Sequence, residues 1–165
     1  MTLAISGWPV HKPIAGGPTH AKSVKMAITK RMSVLARVPL FDGLTKRHMQ
    51  AVARVCVSRR WAAGSCVVAE KSTDQICYII VEGTVDVSRN GRTIAQLGPG
   101  EFFGEIALLD PGPRSATVTT ATEMIAVELS RQSFLEVAGD EPAILLRMLE
   151  VLARRLRETT KRLAY

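Results

Sequence analysis

The chain has 165 residues, of which 47% are hydrophobic and 22% charged, an ordinary composition for a globular protein that buries a core of its own. It contains no run of roughly 18 apolar residues that could cross a membrane, and its N-terminus lacks the apolar stretch of a signal peptide. The three cysteines, Cys56, Cys66 and Cys77, form no CxxC pair. We therefore expect reduced thiols and a cytoplasmic location.

The formal net charge of +7 is unevenly distributed along the chain. Residues 1–60 contain eleven Lys or Arg and one acidic residue, Asp42, a net charge of +10, whereas residues 61–165 contain eleven basic and fourteen acidic residues, a net charge of −3. A basic N-terminal segment suits an acidic protein, a nucleic acid or an anionic membrane surface. A solvated tail and helix face explain the charge equally well, so charge alone does not choose.

The N-terminal third divides into two predicted segments. Residues 1–20 are rich in Pro and Gly and are predicted to be a disordered basic tail. Residues 21–56 are predicted to be a helical segment, with a boundary at Pro39 and a second helix that Thr45 caps and that ends at Val55. The apolar positions near helical spacing in its first half are Val24, Ile28, Leu35 and Val38.

Residues 57–165 are predicted to form one unit, which begins with short strands and ends with helices. The candidate strands are Val57–Trp61, Cys66–Ala69, Ile76–Glu82, Thr84–Arg89, Thr93–Leu97, Ser115–Ala121 and Glu123–Leu129. Asn90-Gly91 is a strong hairpin signal between two of them. Many short strands joined by such turns favour a jelly-roll barrel or sandwich.

The stretch from residue 98 to 121 contains the residues best suited to bind a ligand. Gly104 and Glu105 begin a predicted single helical turn, whose N-terminal end suits an anion. The sequence Pro-Gly-Pro ends that turn, and Arg114 follows nine residues after Glu105. An arginine fork matches two phosphate oxygens, and a carboxylate accepts hydrogen bonds from a sugar hydroxyl. The stretch therefore has the groups that a ribose carrying a phosphate needs.

The C-terminal part is predicted to form two helices. Ser130 caps the first, from Arg131 to Ala138, which Gly139 and Asp140 are expected to break, and Glu141-Pro142 opens the second. The second helix has an apolar stripe at Ile144, Leu145, Met148, Leu149, Leu152, Leu156 and Leu163. That stripe must pack against the strands, a second copy of the chain or a partner protein.

Two motifs resemble a known family. Phe103-Gly104-Glu105-x-Ala107-Leu108, followed by Pro113-Arg114-Ser115-Ala116-Thr117-Val118, closely resembles the phosphate-binding cassette of cyclic nucleotide-binding domains. The resemblance implies an α+β fold with a jelly-roll-like β-roll of about eight strands, an N-terminal helical bundle and C-terminal helices.

The same resemblance implies the role of each cassette residue. Arg114 would bind the exocyclic oxygens of a 3′,5′-cyclic phosphate, and Glu105 and the Gly104 backbone would hold the ribose 2′-hydroxyl. The Ala107 N–H and the Ser115 hydroxyl would complete the phosphate shell. Ile106, between Glu105 and Ala107 in the turn, is also a candidate binding residue. The alternative is a domain that has lost its ligand, in which Glu105 and Arg114 form a buried ion pair.

The second motif, Leu152-Ala153-Arg154-Arg155-Leu156-x-x-Thr159-Thr160, resembles the C-helix of bacterial cAMP receptors, the catabolite activator proteins. The resemblance makes Thr159 and Thr160 candidates for base contacts, one from each subunit of a dimer, and places Arg155 beside the site. Ser115 and Thr159 follow the cAMP-receptor pattern, so cAMP is preferred over cGMP as the ligand. The alternative for Thr159 and Thr160 is ordinary solvent-facing polarity of the helix.

The chain departs from that family where it ends. Catabolite activator proteins continue into a DNA-binding domain, and this sequence stops at Tyr165, so we expect no operator binding by this chain. The leading interpretation is a free-standing cyclic nucleotide receptor that regulates an effector protein through ligand-dependent repositioning of its helices. Its alternatives are a regulatory or docking subunit of a channel, transporter, enzyme or shell, or a transcription regulator without its DNA-binding half.

We expect no enzymatic activity, no metal and no cofactor besides the nucleotide ligand. His11, His20 and His48 all precede the strands, and the cassette has no nucleophile beside a base. The sequence also lacks a G-x-x-x-x-G-K-S/T loop. A cyclic phosphodiesterase is therefore disfavoured.

Overall fold

The computed structural model describes residues 21–163, so the predicted disordered tail, residues 1–20, lies outside the described part of the chain. Nine strands form two sheets. They are β1 Lys22–Ser23, β2 Val57–Trp61, β3 Cys66–Val68, β4 Ile76–Glu82, β5 Val85–Arg89, β6 Arg92–Leu97, β7 Phe102–Phe103, β8 Thr117–Thr120 and β9 Met124–Ser130. The helices of residues 21–163 are α1 Ile28–Leu35, α2 Lys46–Val55, α3 Arg131–Asp140 and α4 Ala143–Leu163, with 3₁₀ turns at Pro39–Phe41 and Glu105–Leu108.

The two sheets form a β-roll, as predicted. One sheet has the order β1-β2-β9-β4-β7 and the other β3-β8-β5-β6. Neighbouring strands pair antiparallel throughout both sheets. The β5–β6 hairpin turns at Asn90 and Gly91, which both have positive φ, as a two-residue turn between twisted strands requires.

Alternate residues of the larger sheet belong to two separate hydrophobic cores, because successive side chains of a strand point to opposite faces. Cys77 and Ile79 of β4 face the helices and belong to a cluster with α1, α2, α3 and the base of α4. Tyr78 and Ile80 face the interior of the roll, where Tyr78 stacks on Phe103 with ring centroids 4.9 Å apart. One strand therefore contacts both the helices and the interior of the roll.

The inner face of the roll also contains a partly buried ion pair. Arg59 Nε donates to Glu128 Oε2 at 2.7 Å, and the Glu128 side chain is 12% exposed. Burial raises the pKa of the Glu128 carboxyl, although the hydrogen bond and charge of Arg59 oppose this rise. The pair lies beside the buried aromatic residues Trp61 and Tyr78 in a small pocket near β3.

The helices begin where their caps were predicted, but two boundaries differ. Thr45 and Ser130 cap α2 and α3, accepting hydrogen bonds from the His48 and Ser133 N–H groups. The prediction that Gly139 and Asp140 break α3 is wrong, because the helix continues through Asp140. α1 begins at Ile28 rather than near Ala21 because Lys22–Ser23 pairs with Arg59–Arg60 at the sheet edge.

The three cysteines are unpaired, as predicted. Burial raises the pKa of the Cys56 thiol to about 12, although the nearby charge of Arg31 opposes this shift. Over residues 21–163, no helix has the length and apolar character needed to cross a membrane.

Candidate functional site

The cassette turn, defined here as Gly104–Leu108, connects β7 to the loop that leads to Arg114. Gly104 has φ +79 and precedes the 3₁₀ turn Glu105–Leu108, which confirms the predicted single turn of helix. Ala107 and Leu108 are buried, Leu108 in the helix-facing core, whereas Ile106 is 52% exposed. The Ala107 N–H donates to Gly104 O at 3.2 Å, so the N–H groups that precede it in the turn are the ones that can bind an anion.

A pocket of about 330 Å³ lies over this turn. It is lined by residues 104–107, Asp110 and residues 112–115. The six cassette residues predicted to bind a ligand, from Gly104 to Ala107 together with Arg114 and Ser115, therefore line one cavity. Asp110 lines the cavity as well and was not among the predicted site residues.

Arg114 is the most buried charged group of the pocket, with a side chain 7% exposed. Its partner is Asp74, which accepts from Nε at 3.0 Å and from Nη2 at 2.6 Å. Nη2 also donates to the backbone oxygen of Ile76. The alternative of a Glu105–Arg114 ion pair is wrong, because the carboxylate bound to Arg114 is that of Asp74.

These bonds orient the guanidinium and leave a defined part of it for a ligand. An arginine has five N–H donors, and the bonds to Asp74 and Ile76 use Nε and Nη2. Nη1 lies against Gly104, so closely that a Cβ on that residue would overlap it. Both the positive φ and the close approach of Arg114 therefore require a glycine at position 104. The two N–H donors of Nη1 are the ones that remain available at the pocket.

The Asp74 carboxylate is held in its charged form. Burial would raise its pKa, but hydrogen bonds from Arg114 and Ser72 and the charge of Arg114 outweigh burial and hold the pKa below its ordinary value. The backbone supports this pair, since the Arg114 N–H donates to Ser72 O and the Lys71 N–H donates to Arg114 O, both at 2.8 Å. Asp74 is thus fixed to Arg114 by its loop as well as by its side chain.

Asp74 is the residue that the sequence analysis missed. It lies in a loop 40 residues before Arg114, and its surroundings in the chain give no local signal for this pairing. A carboxylate two residues before the buried strand β4, together with an arginine expected inside the roll, is the weak signal that could have suggested this pairing.

A second cavity of about 150 Å³ adjoins the first and extends into the roll. It shares Gly104, Arg114 and Ser115 with the first pocket. Its other lining residues are apolar, namely Val68, Val87, Phe103, Ala116 and Val118. A polar surface at the cassette thus continues into an apolar wall, which suits a ligand with a charged group at one end and a flat, less polar group at the other.

The predicted base-contacting residues lie outside this pocket. Thr159 and Thr160 donate their hydroxyl hydrogens to Arg155 O and Leu156 O, each at 2.9 Å, within α4. These residues, and the whole stretch 153–163, are exposed. The roles of Arg155, Thr159 and Thr160 therefore stay predictions. Within residues 21–163, no group of three or more His, Cys, Asp or Glu side chains is placed to hold a metal ion.

Comparison with known proteins identifies the family of the β-roll. The family model described as the cyclic nucleotide-binding domain matches residues 58–141. A CRP-like cAMP-activated global transcriptional regulator of Mycobacterium tuberculosis is 36% identical over 136 residues, 79% of this chain and 61% of the relative. The cyclic AMP receptor protein of Thermus thermophilus is 33% identical, over 73% of this chain and 58% of the relative.

Solved structures agree with this assignment. The N-terminal domain of a transcriptional regulator from Streptomyces coelicolor superposes with a TM-score of 0.73 at 31% identity, covering 78% of this chain and 95% of that domain. The Thermus thermophilus catabolite activator protein gives a TM-score of 0.61 at 33% identity, covering 76% of this chain and 62% of that one. The aligned region spans about three fifths of each full-length regulator that it matches. The chain belongs to the cyclic nucleotide-binding domain family.

Proposed function

We propose that the chain is a cyclic nucleotide receptor that prefers cAMP over cGMP and regulates an effector protein. The observation that carries the proposal is the geometry of Arg114, whose guanidinium is buried and oriented by Asp74 while Nη1 remains at the pocket beside the cassette turn. A cyclic phosphate would bind Nη1, the N–H groups at the start of the turn and the Ser115 hydroxyl. Glu105 would accept a hydrogen bond from the ribose.

The preference for cAMP rests on similarity and on Ser115. Two of the relatives are named for cAMP. A cGMP-dependent protein kinase of Toxoplasma gondii is 34% identical over 72% of this chain, which is 12% of the kinase. The family therefore includes proteins named for either nucleotide, and a direct comparison of the two is required.

Regulation would proceed through the helices. A ligand shifts a conformational equilibrium by its difference in affinity for the two states. Thr159 and Thr160 are the candidate base contacts on α4. They would reach a nucleotide if α4 of the same chain moved toward the cassette, or if α4 of a second copy supplied them in a homodimer. The exposed Leu149, Leu156 and Leu163, one heptad apart, support such pairing.

The effector would contact either α4 or the basic N-terminal segment. Residues 21–60 have ten Lys or Arg and one acidic residue, and exposed Lys30, Lys46 and Arg54 lie on α1 and α2. The unpaired cysteines support a reducing location such as the cytoplasm.

A second candidate is a regulatory module of a larger protein or assembly. The match to only part of each regulator and kinase supports it. A cyclic nucleotide-gated potassium channel of Rhizobium etli is also 33% identical, over 70% of this chain and 32% of the channel. Co-purification of a partner at low salt that is lost at high salt would favour an electrostatic docking role.

The test of ligand binding is calorimetric titration of cAMP and cGMP. We expect tighter binding of cAMP, and binding weakened about 100-fold in Arg114→Ala, since loss of charge-assisted hydrogen bonds costs about 3 kcal/mol. Arg92→Ala, an exposed arginine on β6, is the matched control and should bind as the unaltered protein does. Absence of heat with both nucleotides would refute the proposal, and tighter binding of cGMP would refute the preference.

A further inference from the structure

The junction between α3 and α4 is attached to α2 by one carboxylate. Glu141 lies between the two helices with φ −129 and ψ 74. Its Oε1 is 3.0 Å from Arg47 Nη2, and its Oε2 is 3.3 Å from His48 Nε2. The side chains of Glu141 and His48 are 24% and 10% exposed, whereas that of Arg47 is 82% exposed. The inner contact, to His48, is thus the one shielded from solvent.

Within residues 21–163, the direction of α4 is determined by the packing of its base. Ile144, Met148 and Val151 are its buried residues. Arg147 Nη1 also donates to Gly43 O at 3.1 Å, just before α2. From residue 153 to residue 163 the helix is exposed. A small rotation at Glu141 would therefore move the distal threonines by a large distance, since the 21-residue helix is about 30 Å long.

The His48 side of this contact is incompletely satisfied. His48 Nδ1 is buried and has no hydrogen-bond partner in the described part of the chain. A buried polar atom without a partner costs free energy, and such atoms in folded proteins call for an explanation. The unpaired Nδ1 therefore indicates that the contact between α2 and the junction is adjustable rather than fully optimised.

We propose that Glu141 is a positioning residue for α4. Its contact with His48 holds α4 in the orientation described above, in which Thr159 and Thr160 bond within the helix and lie outside the pocket. Movement of α4 toward the cassette of the same chain must loosen this contact, so the contact opposes nucleotide binding. This inference rests on the proposed function and adds to it the residue that sets the resting position of the helix.

The test compares Glu141→Gln with Arg47→Gln by cAMP calorimetry and by hydrogen exchange of residues 143–152. Glu141→Gln keeps the side-chain shape and removes the charge. Partly exposed ion pairs are weak, so we expect cAMP affinity to rise roughly two- to fivefold, with faster exchange at the base of α4 in the absence of nucleotide. Arg47→Gln, which alters only the exposed contact, should change affinity by less than about 1.5-fold.

Two further results separate positioning from a general loss of stability. His48→Leu, which removes the Nε2 donor, should raise cAMP affinity as Glu141→Gln does, and the double variant should show no additional gain, because both changes weaken one contact. General destabilisation does not raise ligand affinity, so unchanged or weaker binding in Glu141→Gln would overturn the inference. The inference would also be overturned if α4 of a second copy made the base contacts and neither single variant changed the cAMP affinity.

Failure of the proposed function would be seen separately. If the unaltered protein bound neither nucleotide, the receptor proposal would fail. The exchange comparison between Glu141→Gln and Arg47→Gln would still test the contact. Equal exchange at the base of α4 in both variants and in the unaltered protein would then refute it.

Discussion

The pairing of Arg114 with Asp74 gives a prediction that needs no ligand. Asp74 accepts two hydrogen bonds from a guanidinium whose side chain is 7% exposed. Asp74→Asn leaves one acceptor, places an amide donor against an arginine donor and removes the negative charge. Removal of one partner from a fully buried pair costs about 3–5 kcal/mol. Because the Asp74 side chain is 33% exposed, water reaches it and we expect a smaller cost, about 1–2 kcal/mol.

The assay is urea denaturation followed by fluorescence of the buried Trp61. Asp110→Asn is the matched control, because Asp110 lines the same pocket but is exposed and forms none of the ion pairs within residues 21–163. We expect a lower midpoint for Asp74→Asn and no change for Asp110→Asn. Equal midpoints for Asp74→Asn and the unaltered protein would refute the claim that this pair stabilises the fold.

The pH dependence of that difference has a definite sign. The pKa of Asp74 is lower in the folded protein than its ordinary value of 3.8. A carboxyl with a lowered pKa contributes stability that is present above its unfolded-state pKa and is lost as the pH falls through the folded-state pKa. The gap between the unaltered protein and Asp74→Asn should therefore be constant above about pH 5 and narrow below about pH 4. A gap that widened on acidification would contradict the assignment.

Other substitutions test the cassette, the inner ion pair and α4. Gly104→Ala, whose Cβ would lie 2.7 Å from the Ile76 carbonyl oxygen, should lower the unfolding free energy by about 1–3 kcal/mol and abolish cAMP binding. Gly112→Ala has only an ordinary contact at 3.8 Å and should do neither, as melting and calorimetry will show. The raised pKa of Glu128 means that its stabilising contribution is present below its unfolded-state pKa and is lost as the pH rises. The unfolding free energy of Glu128→Gln, from denaturation curves, should therefore rise relative to that of the unaltered protein between about pH 4 and pH 7. A difference between the two proteins that stayed constant over this range would count against this. Leu156→Glu, at a side chain 68% exposed, should abolish any dimer in sedimentation while the monomer stays folded, and a persistent dimer would exclude α4 as the interface.

The sequence predicted the strands well because the signals for strands are local. Val57–Trp61 and Ile76–Glu82 were predicted with the bounds that the structure has. Each contains β-branched and aromatic residues and is followed by a turn-forming glycine, Gly64 or Gly83, so each strand can be recognised without its neighbours. The two missed strands, Lys22–Ser23 and Phe102–Phe103, have two residues each. Pairing with a distant strand, rather than local composition, makes them strands.

The cassette residues were predicted for the same reason, whereas the residues that contact Arg114 and line the cavity wall were not predicted. Gly104, Glu105 and Arg114 lie within eleven residues, so their combined chemistry can be recognised from the sequence alone. The partner of Arg114 is separated from it by 40 residues, and the wall residues Val68 and Val87 come from two further strands. Such contacts depend on how the sheets pack. Periodicity identifies which residues face inward but not which of them meet.

Strand β4 is one physical connection between the candidate site and the helices, beside Leu108 of the cassette turn, which is buried in the same helix-facing core. The carbonyl oxygen of Ile76 accepts from Arg114, and the next residue, Cys77, is fully buried in the core that contains α2 and the base of α4. We therefore expect a change in the position of Arg114 to reach the helix-facing core within one residue of the strand. Spatial proximity alone does not demonstrate coupling. A double-mutant cycle between Asp74→Asn and Cys77→Ala measures the coupling free energy between the two residues, once from the unfolding free energy and once from the cAMP affinity. Coupling in affinity beyond the coupling in stability would show that β4 transmits the ligand signal, and additivity in both would show that it only supports the two sites independently.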